Sequence, residues 1–310
     1  MTGIWHDVLA GLQRLTTARP SYVVAAVVLY VASLWIVGTR WRSFIRMTGG
    51  EVGQWRATSA ALGGVAASNL TPSSRLAGEA CRIAIGRMGG TMTWRQATVA
   101  TVWDRLSEVP PIVVLAVMAA FAAGNLVAPR SMALVASLAA VIAGAVALRA
   151  IQKSNGQWGT WRDKLALDSV SVRALGVGIG CSSLLWLQDF LRLTCASLAF
   201  GVVLSPAQTA TLSILAMVGG LAPTMGGLGV VEGGLVSGLM AFGVDLPTAT
   251  AVTALERAIS YGLSTSAGLT VIALLGGRSL WRGLRTATVA REVGDEKVCA
   301  GTRPELHYVP

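Results

Sequence analysis

The sequence predicts an all-α, polytopic integral membrane protein, built as an inverted-topology repeat with two re-entrant broken-helix hairpins. Three observations lead there. Of 310 residues, 53% are hydrophobic and 13% charged, with a mean hydropathy of +0.61; soluble domains carry about 25% charge. Several apolar runs reach the length of roughly 18 residues or more that spans a bilayer. Two other apolar segments snap at a proline, Pro72 and Pro223, and resume within a few residues. A broken helix at membrane depth is tolerated only where protein or a water-filled cavity satisfies the freed backbone groups.

Composition also excludes several classes. The formal net charge is +10, but basic residues in a membrane protein mark cytoplasmic loops and contact anionic head groups. No aromatic-interleaved basic stripe points to nucleic acid. The cysteines (Cys81, Cys181, Cys195, Cys299) lie far apart, and the histidines, His6 and His307, lie near opposite ends. That argues against a structural zinc site or a disulfide framework, and no cofactor is implied. Residues 1–20 lack the continuous apolar core of a signal peptide.

In chain order, Ile4, Trp5, Val8, Leu9, Leu12 and Leu15 recur at helical spacing, predicting an amphipathic interfacial helix over 1–20. Residues 21–38 span, closed by a belt of Arg40, Trp41, Arg42 and Arg46. Residues 55–87 hold the first broken hairpin, where Arg75, Glu79 and Arg82 share one helix face. Residues 97–123 form the next span, with Asp104, Arg105 and Glu108 ahead of Pro110-Pro111. A clean span over 131–148 and a polar, amphipathic stretch over 151–173 follow. Residues 174–204 span again and carry Asp189 and Arg192, three apart, which read as a self-satisfied surface pair. Residues 207–244 are interrupted by Ala222-Pro223-Thr224-Met225-Gly226-Gly227-Leu228-Gly229, with Glu232 beyond. Residues 247–275 form the last span, containing Glu256-Arg257. One transmembrane domain thus covers 21–275, and a polar tail, 276–310, is expected to be disordered.

Basic clusters at 40–56, 82–95, 149–173 and 278–291 fall on one side of five full spans, leaving Arg14, Arg19 and Arg130 on the other. The positive-inside rule then places the N-terminus outside and the C-terminus in the cytoplasm of a bacterial or archaeal cell membrane.

The halves echo one another. Arg105 and Arg257 are 152 residues apart, as are Arg40 and Arg192, while Pro72 and Pro223 are 151 apart. Each unit, 21–123 and 174–275, reads as a span, a broken hairpin, and a span with an acidic-Arg pair. Three spans precede the second unit, so it enters the membrane the other way up. Such repeats point to a transport site near the bilayer midplane.

At these residues the chain resembles a known family, the transmembrane (flippase) region of bacterial lysylphosphatidylglycerol synthases and its stand-alone membrane relatives. The first family motif stands here as Asn69, Pro72, Arg75, Gly78, Glu79 and Arg82, followed by the acidic-Arg pair. The second stands as Pro223, Gly226, Gly227, Gly229 and Glu232. The resemblance covers roughly 23–276. It departs where Ser73-Ser74 lengthens the Pro-to-Arg spacing, where Met225 replaces a proline, and in lacking an initial span usual in relatives. The lipid-modifying reaction of the larger enzymes is not carried over.

Ionisable groups at bilayer depth cost at least about 2.5–3.5 kcal/mol each, so they face a cavity or one another. The candidate substrate-binding set is therefore Asn69, Arg75, Glu79, Arg82, Asp104, Arg105, Pro223, Gly226, Gly227, Glu232, Glu256 and Arg257. The arginines suit a phosphate or carboxylate. A structural role is the plainer reading: Glu79 bonded to Arg82 would pin the hairpin, and paired acidic-Arg residues would hold the core. Residues adjacent on a helix point about 100° apart, so Asp104-Arg105 and Glu256-Arg257 must pair across repeats or with the hairpins. The three Gly-x-x-x-Gly pairs at Gly176, Gly229 and Gly234 suit close helix packing.

The leading expectation is a flippase or exporter of an anionic or glycosylated phospho- or polyprenyl lipid, with membrane lipids as partners and room for a homo-oligomer. Two other readings are a membrane-embedded lipid head-group transferase and a small-solute secondary transporter. Against the transferase stand the lack of histidines within the spans and of any metal-ligand cluster, so no enzymatic activity is expected.

Overall fold

The computed structural model describes residues 10–72, 75–88, 92–122 and 171–275. The expected span at 131–148, most of the amphipathic stretch at 151–173, the first nine residues and the tail at 276–310 lie outside the described residues. Every regular element described is helical: α1 (Pro20–Met47), α2 (Gln54–Leu70), α3 (Arg75–Arg87), α4 (Trp94–Leu106), α5 (Val109–Ala122), α6 (Val172–Leu198), α7 (Pro206–Gly219), α8 (Val230–Ala241) and α9, which runs from Leu246 to Leu275. Met1–Gly268 forms one compact unit. Leu269–Pro310 forms a second, of which the last turns of α9 are described.

The helix boundaries follow from local chemistry. Thr93 and Gln96 form a capping box at the start of α4, and Ser205 and Gln208 form another at α7; each box satisfies two orphan amides. Asp245 caps α9 by accepting from the Thr248 amide at 3.2 Å. α2 stops where Thr71 turns extended (φ −120°, ψ 141°), as a residue before proline must. The second break, after α7, passes through a short 3₁₀ turn, Met225–Gly227, with Gly226 at φ 60°.

α1, α6 and α9 are long and apolar enough to cross a membrane. Val24, Val28, Val31 and Trp35 line one exposed stripe of α1, and Leu184, Leu187 and Leu191 one of α6. Contiguous apolar stripes of this kind face lipid. The opposite faces meet: α1 packs against α6, and Ala26, Tyr30, Leu193, Ala196, Leu212, Leu235 and Val252 form a core that joins them to α7, α8 and α9. α2 folds back on α3, and α7 on both α5 and α8.

Four expectations change. The expected span over 97–123 is two helices, α4 and α5, separated at Ser107–Glu108, because Pro110 and Pro111 offer no amide to continue the ladder. α1 runs nine residues past Gly38, and Arg40 and Trp41 are 4% and 0% exposed rather than an interfacial belt. Arg192 is 8% exposed and bonds Glu256 as well as Asp189, so it is no surface pair. The Gly-x-x-x-Gly pairs do not mark contacts among the described residues: there a Cβ at Gly176, Gly180, Gly229, Gly233 or Gly234 would meet nothing within 4 Å, and of these glycines Gly238 alone packs, on Leu212. Close approach occurs instead between α2 and α3, where a Cβ on Gly78 would lie 2.6 Å from the Gly64 carbonyl oxygen and run into Ser68.

Candidate functional site

The first break positions an ion network. α3 carries Glu79 and Arg82 on the face turned toward α4. Asp104, fully buried on α4, accepts from Arg40 Nε at 2.9 Å, Arg40 Nη2 at 3.1 Å and Arg82 Nη1 at 2.9 Å. Three donors from two guanidiniums offset the cost of burying that carboxylate. Arg40 also donates to Glu108 (2.7 Å) and Ser182 (3.1 Å). Arg105 points away from Asp104 and donates to Glu79 at 2.8 Å and Glu108 at 2.9 Å. Arg82 also lies 3.5 Å from Glu79 and stacks over the Trp41 ring, 4.7 Å from its centroid.

The second break builds a matching arrangement. Glu256, 6% exposed on α9, accepts from Arg192 Nη2 at 2.8 Å, while Arg192 Nη1 lies 3.1 Å from Asp189. Glu232 accepts from the Gly229 amide at 2.6 Å, closing the first turn of α8, and from Arg257 Nε at 2.7 Å. Arg257 Nη2 reaches back to the Gly226 carbonyl at 3.1 Å, and its guanidinium sits 4.9 Å from the Tyr261 ring centroid. A Cβ at Gly226 would lie 2.5 Å from that ring. Only glycine fits there, on space and on its positive φ.

The contacts repeat at nearly one offset. Helix starts fall at 20 and 172, 54 and 206, 94 and 246, each pair 152 residues apart. Arg40–Asp104 maps in the same way onto Arg192–Glu256, and Glu79–Arg105 maps onto Glu232–Arg257 within one residue. In each acidic-Arg pair the arginine therefore bonds a carboxylate of α3 or α8 and the acid bonds an arginine of α1 or α6, within its own half and not across halves.

The end of α2 also meets the second half, at the turn Met225–Gly227 and at α9. Asn69, at the end of α2, donates to Ser264 at 3.1 Å and Thr265 at 2.8 Å, and its carbonyl accepts from Tyr261 at 3.1 Å. Ala258–Leu263, just before this contact, is a π-helical stretch of α9, a widened turn often found at functional sites.

Between the halves lies a cavity of about 440 Å³. Of the sequence-predicted site residues, Glu79, Arg82, Arg105, Gly226, Glu256 and Arg257 line it. Asp104 and Glu232 stand behind, holding the arginines. Asn69, Pro223 and Gly227 shape the breaks without lining the cavity, and the Arg75 side chain lies outside the described residues. The sequence reading missed Gln188 and misplaced Arg40, Asp189 and Arg192, all four of which line the cavity. The 152-residue offset already linked Arg40 to Arg192 and was the available signal. Gln188 had none.

A helical bundle with apolar outer stripes and an ion-lined chamber inside defines a multi-pass membrane protein. The chain belongs to the family described as the lysylphosphatidylglycerol synthase TM region, which matches residues 4–268. It is 26% identical to a UPF0104 membrane protein of Methanothermobacter thermautotrophicus, over 84% of this chain and 88% of the relative. It is 21% identical to another UPF0104 membrane protein, from Pyrococcus horikoshii, over 85% and 90% respectively.

Proposed function

We propose that this protein is a lipid flippase or exporter that moves an anionic or glycosylated phospho- or polyprenyl lipid between leaflets. The observation that carries the proposal is the 440 Å³ cavity, walled by both halves and lined by five arginines and four carboxylates. That volume is typical of small-molecule sites and suits a head group whose acyl or prenyl tails stay in the bilayer. Fixed dipoles and charges in the wall replace the water a polar head group gives up, which lowers the cost of carrying it through hydrocarbon.

The architecture we propose is an inverted-topology repeat whose two breaks, near Pro72 and Pro223, are the tips of re-entrant hairpins entering from opposite leaflets. The recurrence of helix starts and ion pairs at an offset of 152 residues supports it, as does the contact of Asn69 with Tyr261 and the turn holding Gly226. The N-terminus then lies outside and the C-terminus in the cytoplasm, following the basic clusters. Residues of the network hold or gate; none carries a bond-making step.

The test is lipid movement in proteoliposomes. Reconstituted protein is expected to expose fluorescently labelled phosphatidylglycerol or polyprenyl phosphate from the inner leaflet to external dithionite faster than empty vesicles do. Equal rates for every labelled lipid would overturn the proposal.

A further inference from the structure

The ion network divides into a part that repeats and a part that does not. Arg40–Asp104 and Glu79–Arg105 each have a counterpart in the second half, whereas Glu108, which bonds both of those arginines, falls opposite Ser260. Arg82 has none: its equivalent position is Gly234 or Leu235, according to whether the offset is that of the helices or that between Glu79 and Glu232. Gln188 has none either, since its equivalent is Ile36, and Asp189 falls opposite Val37. A pair that recurs in both halves serves what both halves need, a stable core and matched tips. A group present in one half serves something that binds once.

Two of the unmatched groups, Arg82 and Gln188, together with Arg192 from a matched pair, also carry buried donors that find no partner among the described residues. Gln188 is 7% exposed and its Nε2 has no hydrogen-bond partner. Arg82 is 3% exposed, with Nε and Nη2 unpartnered, and Arg192 is 8% exposed with Nε unpartnered. All three residues line the cavity. Arg105 and Arg257, in contrast, are committed to Glu79, Glu108, Glu232 and the Gly226 carbonyl. A buried donor left unmade costs about 1–3 kcal/mol, and native proteins seldom leave several in one place.

We infer that Arg82, Gln188 and Arg192 form a binding subsite for a single phosphodiester group, whose oxygens take up these vacant donors. This rests on the flippase reading for the source of the phosphate, a lipid head group. Two guanidinium edges and one amide match a tetrahedral anion with several acceptor oxygens. The same wall leaves one buried acceptor, Glu79 Oε2, unpartnered among the described residues, which can take a head-group hydroxyl beside the phosphate. The arginines nearest the tips, Arg105 and Arg257, act in this scheme as gate posts that never leave their carboxylates.

The experiment titrates the detergent-solubilised full chain with dioctanoyl phosphatidylglycerol, dioctanoylglycerol and glycerol 3-phosphate, using microscale thermophoresis, for the native protein, Gln188→Leu and Arg192→Lys. Gln188→Leu removes one donor and no charge. Arg192→Lys keeps the charge beside Asp189 and Glu256 but loses Nε. Thermal unfolding verifies that each variant folds. The expected result is binding of the phosphatidylglycerol but not of dioctanoylglycerol, weakened about tenfold or more in each variant, as loss of one hydrogen bond to a charged group implies. Unchanged affinity in a folded Gln188→Leu protein overturns the subsite and leaves the flippase reading standing. Equal binding of dioctanoylglycerol does the same. Glycerol 3-phosphate binding as tightly as the lipid keeps the subsite and removes the lipid source. No binding of either phosphate overturns the subsite.

Discussion

Arg192 donates to Glu256 at 2.8 Å across 64 residues of chain, the same separation at which Arg40 donates to Asp104 at 2.9 Å. Both arginines sit in long apolar helices, and both carboxylates end the first segment of a broken one. Each pair therefore ties a lipid-exposed helix to the acidic-Arg segment of its own half. The arrangement makes the network a framework first.

Asp104→Ala should be among the most damaging single changes. It strands Arg40 and Arg82, both under 5% exposed, without their shared carboxylate. Breaking a buried pair from one side costs about 3–5 kcal/mol. Detergent-micelle unfolding in SDS should reveal a loss of that order; a loss below about 1 kcal/mol would mean that water reaches the pair.

Glycine substitutions should separate real helix contacts from sequence motifs. Gly78→Val forces a side chain against Ser68 and Gly64 and should cost about 1–3 kcal/mol or more. Gly180→Ala meets nothing and should be neutral, or stabilising by up to about 1 kcal/mol. Thermal unfolding of the two variants ranks them; the reverse order would refute the α2–α3 contact.

Glu232→Gln should impair lipid movement more than stability. Its carboxylate is partly exposed and joins the Gly229 amide to Arg257. An amide keeps an acceptor but drops the charge that holds the guanidinium. The expected outcome is a fall of about tenfold in the proteoliposome assay with a melting temperature close to the native one. Intact movement would reduce Glu232 to a helix cap.

Asn69→Cys combined with Thr265→Cys, in a chain whose native cysteines are replaced by serine, should link the first break to α9 on oxidation. Native side chains at these positions are 2.8 Å apart. If the first break must part from α9 for a head group to pass, oxidised protein should stop moving lipid and dithiothreitol should restore it. Movement undiminished by a fully formed link would rule out parting at this contact.

Acid sensitivity outside the membrane is expected at Asp245. Slight burial pushes its carboxyl up, but hydrogen bonds from Thr248 and the charge of Arg14 outweigh this and hold it below the usual carboxylate range. A depressed folded-state value means that the stabilisation is present at neutral pH and fades as pH falls below about 4. Asp245→Asn should be less stable than the native chain at pH 7, with the gap closing by pH 3, as followed by thermal unfolding.

Much of this was legible in the chain. Pro72 and Pro223 announced both breaks because proline removes a donor wherever it falls, and composition alone announced the membrane. The offset joining Arg40 to Arg192 held for helix starts and ion pairs alike. Trp41 and Arg40 were misread because a cationic-aromatic cluster after an apolar run has the same pattern whether it meets head groups or a buried carboxylate 64 residues on. Gln188 was invisible for a related reason. An isolated polar residue in an apolar helix acquires meaning only when the fold leaves its donor unmet beside a cavity.

The two halves interrupt equivalent helices by different means: Pro110-Pro111 in the first, the π-helical stretch Ala258–Leu263 in the second. A proline break is anchored where the ring sits. A bulge of one surplus residue is not, since moving it along the helix turns the residues it passes over by about 100° without melting the backbone. Ser264 and Thr265 lie immediately past that bulge, so its migration would swing them out from under Asn69. The second half thus holds a point that can slide where the first is pinned, so a rearrangement at the Asn69 contact is expected to start there.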